Sequence, residues 1–159
     1  MNKKNGFSFI ELSLVLSIIA IAISLVISIY SMTVKSDEAY QGKEDIQHIV
    51  YVSHKLFNAE NNSYVQLNSS VLAKSKLLSS TLVNGNFLVS KAGTISVVGF
   101  AQSFNVSYPT TDASVCIGLA VSLIGVYSQV LVGATLVNNI SQVNAACTAA
   151  QHTVTIRST

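Results

Sequence analysis

Near the N-terminus, the segment KKNGFSFIE (3–11) is followed by the uncharged run LSLVLSIIAIAISLVISIYSMTV (12–34). The run has no charged residue, no proline and no glycine, so nothing in it interrupts a helix. At about 1.5 Å per residue it reaches roughly 35 Å, which is enough to cross the hydrocarbon core of a bilayer. The stretch therefore predicts a membrane-spanning helix close to the N-terminus.

Glu11 stands at the edge of this apolar run, where a simple membrane anchor would not need it. A carboxylate carried towards the centre of a bilayer costs about 2.5–3.5 kcal/mol. Removing one partner of a buried ion pair is strongly destabilising, so an acid in this position implies a cationic partner. The partner is expected to be an amine, either of the same chain or of a neighbouring copy.

The order of Lys3, Lys4, Gly6, Phe7 and Glu11 resembles the processing site of type IV prepilins. In that family a short basic leader ends in glycine, phenylalanine becomes the new N-terminus, and glutamate is its fifth residue. The resemblance implies that a prepilin peptidase cuts between the glycine and the phenylalanine and methylates the new amine, which keeps its charge. It further implies that the glutamate pairs with the N-terminal amine of an adjacent subunit.

The resemblance also divides the chain into a leader (1–6), a membrane and polymerisation helix (7–34) and a globular head (35–159). Lysines precede the apolar run and charges of mixed sign follow it, so the N-terminus is expected in the cytoplasm and the head outside. The implied location is the bacterial inner membrane with a periplasmic head, and then a cell-surface pilus. The implied partners are further copies in a helical filament, prepilin peptidase, the inner-membrane assembly machinery and the membrane.

An ordinary signal peptide or signal anchor is the alternative interpretation of the N-terminus. A secretory apolar region usually spans 7–15 residues and ends at a small-residue cleavage site. The candidate pattern Ala20-Ile21-Ala22 lies inside apolar sequence that continues beyond it. Neither alternative explains why Gly6-Phe7 is followed four residues later by Glu11.

The long helix is expected to continue past the membrane as an amphipathic segment, 35–58. Gly42 is the weak point of this segment, and a bend is possible there. Positions on one helical face are apolar or small, and charged residues take the other side. The positions on the face predicted to be buried are Ile46, Ile49, Val50, Ser53, Leu56 and Phe57.

The remainder of the chain predicts an α+β head, a pilin fold in which an antiparallel sheet covers the second half of the long helix. Asn84-Gly85 predicts a turn, Thr111 or Asp112 is expected to cap the second of three short helices, and Ser141 the third. The predicted helices are 71–83, 113–124 and 142–150. The predicted strands are 87–90, 94–98, 103–108, 129–132, 135–137 and 152–158, with Val154 and Ile156 facing inward.

Cys116 and Cys147 are the two cysteines of the chain. In a head outside the cytoplasm they are expected to form a disulfide, since two distant thiols without nearby histidine or acid do not form a zinc site. Closing this loop should stabilise the head by about 3–4 kcal/mol. The order of elements from Gly93 onward is also similar to type IVb pilins, including those of conjugative plasmids. Those proteins usually have longer leaders, so the subclass stays open.

The sequence offers no catalytic constellation, and no enzyme activity, cofactor or metal is expected. His48 and His54 lie on different helical faces, so they are not a metal-binding pair, and with His152 they are expected at the surface. Without Lys3 and Lys4 the formal net charge of +2 falls to zero, so no nucleic-acid footprint is visible. The alternatives to a pilus subunit are a minor pilin, a type II secretion pseudopilin or a monomeric membrane-tethered binding module.

Overall fold

The computed structural model of the chain describes residues 9–57, 63–147 and 153–159. Within these ranges it has four helices and seven strands, which confirms the α+β class. The helices are α1 (Phe9–Phe57), α2 (Ser69–Lys74), α3 (Ala113–Leu123) and α4 (Ile140–Ala146). The strands are β1 (Val83–Asn84), β2 (Phe87–Ser90), β3 (Gly93–Gly99), β4 (Phe104–Pro109), β5 (Gln129–Val132), β6 (Thr135–Leu136) and β7 (Thr153–Ser158).

All strand pairs of the sheet are antiparallel, and the strand order is β1-β2-β3-β4-β7-β5-β6. The C-terminal strand β7 therefore lies inside the sheet, with Val106 of β4 opposite Ile156. Val154 and Ile156 are buried, as the alternation of apolar and polar residues predicted. Both edge strands have only two residues, and short edges limit unwanted pairing with other chains.

The chain divides into two compact units, Met1–Lys35 and Ser36–Thr159. In the first unit the described residues form one helix, and all of them are exposed. In the second unit, one hydrophobic core joins α1 to α3 and to the sheet. Ile46 and Ile49 of α1 belong to the same buried cluster as Phe104, Leu119 and Ile156. The predicted packing of a long helix on an antiparallel sheet is thus confirmed.

Gly42 allows α1 to lie close to the core of the second unit. A Cβ atom at this position would lie 3.2 Å from Cε1 of Tyr108 and 3.3 Å from Cδ2 of Leu119. Gly118 of α3 is similar, since a Cβ there would lie 3.1 Å from Cβ of Ala39. Helix α1 continues through Gly42 without a break in the helix. The absence of a side chain at Gly42 therefore permits a close contact in the head.

Two helix predictions were wrong at their ends. The helix expected over 71–83 ends at Lys74, because Ser75 caps it and Lys76 takes a left-handed conformation with φ 57°. The helix expected to be capped by Ser141 is capped by Asn139, whose side chain accepts a hydrogen bond from the backbone N–H of Gln142. Its predicted end at Ala150 lies outside the described residues.

Strand β1 was not predicted, because Val83 was expected to end a helix and Asn84 to begin a turn; the remaining described elements agree with the predictions to within about one residue. Asp112 caps α3, accepting hydrogen bonds from the backbone N–H groups of Ser114 at 2.8 Å and Val115 at 3.0 Å. Gly85 turns the chain between β1 and β2 with φ 63°. Asn58, the expected last residue of the long helix, lies outside the described residues.

The described residues between α1 and α2 hydrogen-bond to the end of β3. The backbone N–H of Gly99 donates to the carbonyl oxygen of Leu67 at 2.9 Å, and that of Tyr64 donates to Phe100 at 3.1 Å. A Cβ at Gly99 would overlap the carbonyl oxygen of Tyr64. Only glycine fits this crossing of two backbones.

Candidate assembly site

The described part of the first unit is an apolar helix with nothing packed against it. Its most apolar window has a mean hydropathy of 2.8, and none of that window is buried within the chain. By length and composition, α1 is the one helix in the described residues that could cross a membrane. Exposed apolar side chains run from Phe9 to Val34. A surface this apolar requires lipid or other protein around it.

Five hydroxyl side chains of this segment hydrogen-bond to carbonyl oxygens of their own helix. Each bonds three or four residues back, so no hydroxyl in the set needs water or another subunit as its acceptor. The bonds are Ser13 to Ile10 at 2.9 Å, Ser17 to Ser13 at 2.8 Å, Ser24 to Ala20 at 2.9 Å, Ser31 to Ser28 at 2.9 Å and Thr33 to Ile29 at 3.1 Å.

Glu11 is exposed in the first turn of α1, on the apolar segment. A negative charge near the N-terminus of a helix is favoured by the helix dipole. The predicted processing residues Gly6 and Phe7 lie outside the described residues. The cut between them and the pairing of Glu11 with a neighbouring amine therefore stay predictions.

Cys116 and Cys147 form the expected disulfide, with their Cα atoms 5.9 Å apart. Cys116 belongs to α3, and Cys147 is the C-cap of α4. Both cysteines are fully buried. The disulfide links the end of α4 to α3, and α3 packs against α1 in the core of the head.

A hydrogen bond that the sequence did not predict joins α1 to the sheet. The hydroxyl of Tyr108 donates to Oδ2 of Asp45 at 2.9 Å. Burial raises the pKa of the Asp45 carboxyl, and the hydrogen bond from Tyr108 opposes this effect only in part. Burial, followed by the charge of Asp45, raises the pKa of the Tyr108 hydroxyl, so it remains a donor.

The Asp45–Tyr108 pair lines a cavity of about 520 Å³. Glu38 and Glu44 of α1 and Lys91 from the turn after β2 also line this cavity. Among the described residues, no three side chains of the His, Cys, Asp and Glu types are grouped so that they could hold a metal ion. The cavity lies between α1 and the sheet.

His54 is not the surface residue that the sequence predicted. Its Nδ1 lies 2.8 Å from the hydroxyl oxygen of Tyr64, and its Nε2 lies 3.2 Å from Oγ of Ser158. Its ring also meets that of Phe104 edge to face, with centroids 5.4 Å apart. His48 is exposed as expected, and His152 lies outside the described residues.

Two family profiles match the chain. The profile described as prokaryotic N-terminal methylation motif matches residues 1–27, and the profile described as PilS N terminal matches residues 24–159. The chain belongs to the PilS family of type IV pilin-like proteins. No curated protein gives a significant match.

Membership in the PilS family makes the chain a structural protein of the type IV pilin kind. The methylation motif and the apolar α1 fit a protein that is anchored in a membrane before it is assembled into a surface pilus. In this PilS-family chain the head is an α+β domain that includes the second half of α1, and the Cys116–Cys147 disulfide lies within it.

Proposed function

We propose that this chain is a filament-forming subunit of a type IV pilus, cut after Gly6 and methylated at Phe7. Copies polymerise through α1, and Glu11 of one copy pairs with the N-terminal amine of the next. The observation that carries the proposal is the apolar segment of α1 before Lys35, whose described side chains are all exposed and which has one carboxylate near its beginning. Before assembly the N-terminus lies in the cytoplasm and the head in the periplasm.

The energetics favour a polymer over a lone anchor. A membrane surrounds the apolar side chains equally well in a monomer, but a carboxylate such as that of Glu11 is costly to carry into its hydrocarbon core. In a polymer, leader removal supplies a cation close to the apolar core, and the apolar side chains pack against one another. Polymerisation therefore brings the N-terminal amine of a neighbouring copy to the carboxylate of Glu11.

The sharpest test is Glu11→Gln, which keeps the size of the side chain and removes its charge. We expect the variant to reach the membrane at the level of the unmodified protein but to form no filaments, as seen by electron microscopy of sheared cell surfaces. Ser13→Ala is the matched control, because it changes a nearby helix residue without touching a charge. Normal filaments from Glu11→Gln would contradict the pairing.

The same preparations separate the roles within the fibre. An antibody to the head that labels filaments along their length identifies a major subunit, whereas labelling confined to the ends identifies a minor pilin. A processed protein that never enters a surface filament would point to a type II secretion pseudopilin. An unprocessed protein that stays monomeric in the membrane would identify a tethered binding module.

A further inference from the structure

One face of α1 in the second unit is left uncovered. Asp37, Tyr40, Glu44, His48 and Tyr51 are all exposed, and their spacing of three or four residues places them along one side of the helix. Tyr40 is 62% exposed and Tyr51 is 63% exposed. Tyrosine is enriched among the residues that dominate binding at protein interfaces. We call this set the tyrosine face.

The tyrosine face belongs to the acidic part of the head. Residues 36–57 contain four acids and two lysines, so this segment carries a net charge of −2 with histidine neutral. Two of the acids, Asp37 and Glu44, belong to the tyrosine face itself. Glu38 and Asp45 lie next to them at the cavity under Tyr108.

The next segment of the head has the opposite charge. Residues 63–111 contain three lysines and no acid. Lys74 and Lys76 lie at the end of α2, between the exposed apolar residues Val71 and Leu77, which are 38% and 40% exposed. We call these four residues the lysine patch. In the part of the chain that the structure describes, neither lysine is within 4.0 Å of a carboxylate oxygen.

We propose that the lysine patch of one copy docks on the tyrosine face of the next copy in the filament. This inference rests on the proposed function, and it names the head-to-head contact that accompanies packing of the apolar helices. The occupant is a second copy because the chain itself carries both complementary surfaces: apolar and basic on one side, aromatic and acidic on the other. Two different surfaces in contact form a heterologous interface, which repeats into an open fibre.

Charge exchange in the full chain tests the docking. Lys74→Glu combined with Lys76→Glu should lower the yield of sheared filaments by about tenfold or more, because like charges would then face each other. Asp37→Lys combined with Glu44→Lys should do the same. All four changes in one chain should restore filaments to near the original yield, because each contact is again made between opposite charges.

Arg157→Glu is the matched control for Lys74→Glu alone, since both reverse one exposed positive charge. Arg157 lies on the sheet, where its side chain donates to Oγ of Ser103, and its reversal should leave filament yield unchanged. An intact Cys116–Cys147 bond and an unchanged membrane level show that each variant folds. These readouts distinguish a variant that folds but does not dock from a variant whose head does not fold.

Cross-linking gives a second, independent readout. Filaments assembled from equal amounts of ¹⁴N-labelled and ¹⁵N-labelled chains are treated with a carbodiimide, which joins lysine to carboxylate without a spacer. Mixed-isotope peptides joining Lys74 or Lys76 to Asp37 or Glu44 are expected, and their absence contradicts the contact.

Filaments at full yield from the double lysine variant, or no rescue by the four changes, would also overturn the proposed docking while leaving the proposed function as a pilus subunit intact. If the unmodified chain forms no filament, the proposed function fails instead.

Discussion

Nδ1 of His54 lies 2.8 Å from the hydroxyl oxygen of Tyr64, although ten residues separate them in sequence. Burial raises the pKa of the Tyr64 hydroxyl, which therefore stays protonated and able to donate. The other ring nitrogen reaches Oγ of Ser158 on the C-terminal strand. One side chain of α1 thus holds both the loop after the helix and the last strand of the sheet.

His54→Ala should lower the free energy of unfolding by about 1–3 kcal/mol, because it leaves two hydroxyl groups without their partner. Urea unfolding of the detergent-solubilised chain, followed by circular dichroism, measures the loss. His48→Ala is the control, since His48 is exposed on the same helix and should change little. Equal stability of the two variants would contradict the structural role of His54.

The Asp45 carboxyl makes the stability of the head depend on pH. Its pKa is raised in the folded state, so at pH values just above about 3.9 the folded chain binds more protons than the unfolded chain. Stability therefore falls as the pH rises through the raised pKa. Asp45→Asn can still accept the Tyr108 hydrogen bond but does not ionise.

Asp45→Asn should gain stability relative to the unmodified chain between pH 3 and pH 7. Urea midpoints at both pH values measure this difference. Asp37→Asn is the matched control, because Asp37 is exposed on the same helix and makes no hydrogen bond to the sheet. A relative stability of Asp45→Asn that falls between pH 3 and pH 7 would show that burial does not control this carboxyl.

Cys116→Ser combined with Cys147→Ser should lower the free energy of unfolding by about 3–4 kcal/mol, because the cross-link closes a loop of 31 residues. Replacing both cysteines avoids leaving one reactive thiol. The unfolding midpoint of the oxidised parent chain is compared with that of the double variant. The parent chain under reducing conditions is the internal control and should match the variant. An unchanged midpoint would show that the bond does not constrain the unfolded head.

Gly99→Ala should prevent correct docking of the loop at residues 63–67, because the added methyl group overlaps the carbonyl oxygen of Tyr64. We expect a loss of several kcal/mol, as for other changes that force a backbone to move (about 4 kcal/mol or more). Gly42→Ala is a milder comparison, since its neighbours are the side chains of Tyr108 and Leu119. Limited proteolysis at the loop and urea unfolding report the two effects. Native protease resistance of Gly99→Ala would contradict the crossing.

Much of this fold could be predicted because local pattern and tertiary packing agree. The uncharged run before Lys35 is apolar throughout and contains no proline or glycine, the face around Ile46 and Ile49 has helical periodicity, and α1 covers both segments. The alternation along β4 and β7 gave the buried faces of two central strands, and Asp112 marked the start of α3. In each case the local sequence pattern favours the same conformation as the packing of the folded head.

The features that could not be predicted depend on the local backbone at Lys76 or on contacts between residues that are distant in sequence. The serine-rich stretch after Lys74 has helical apolar spacing, but the left-handed backbone at Lys76 ends the helix there. The sequence predicts a surface position for His54, because its partners Tyr64 and Ser158 are distant from it along the chain. One signal was present: His54 lies four residues after the buried Val50, at the border of the buried face. The Asp45–Tyr108 contact had no comparable signal, since the two residues are 63 positions apart.

In the proposed assembly, leader removal provides the N-terminal cation that pairs with Glu11 of a neighbouring copy and so produces a filament. Intact mass and N-terminal sequencing of the protein in sheared surface filaments test this step. We expect a chain that begins with a methylated Phe7 and lacks residues 1–6. Filaments built from chains that keep Met1 to Gly6, or a native host that carries this protein only as an uncut membrane monomer, would contradict it.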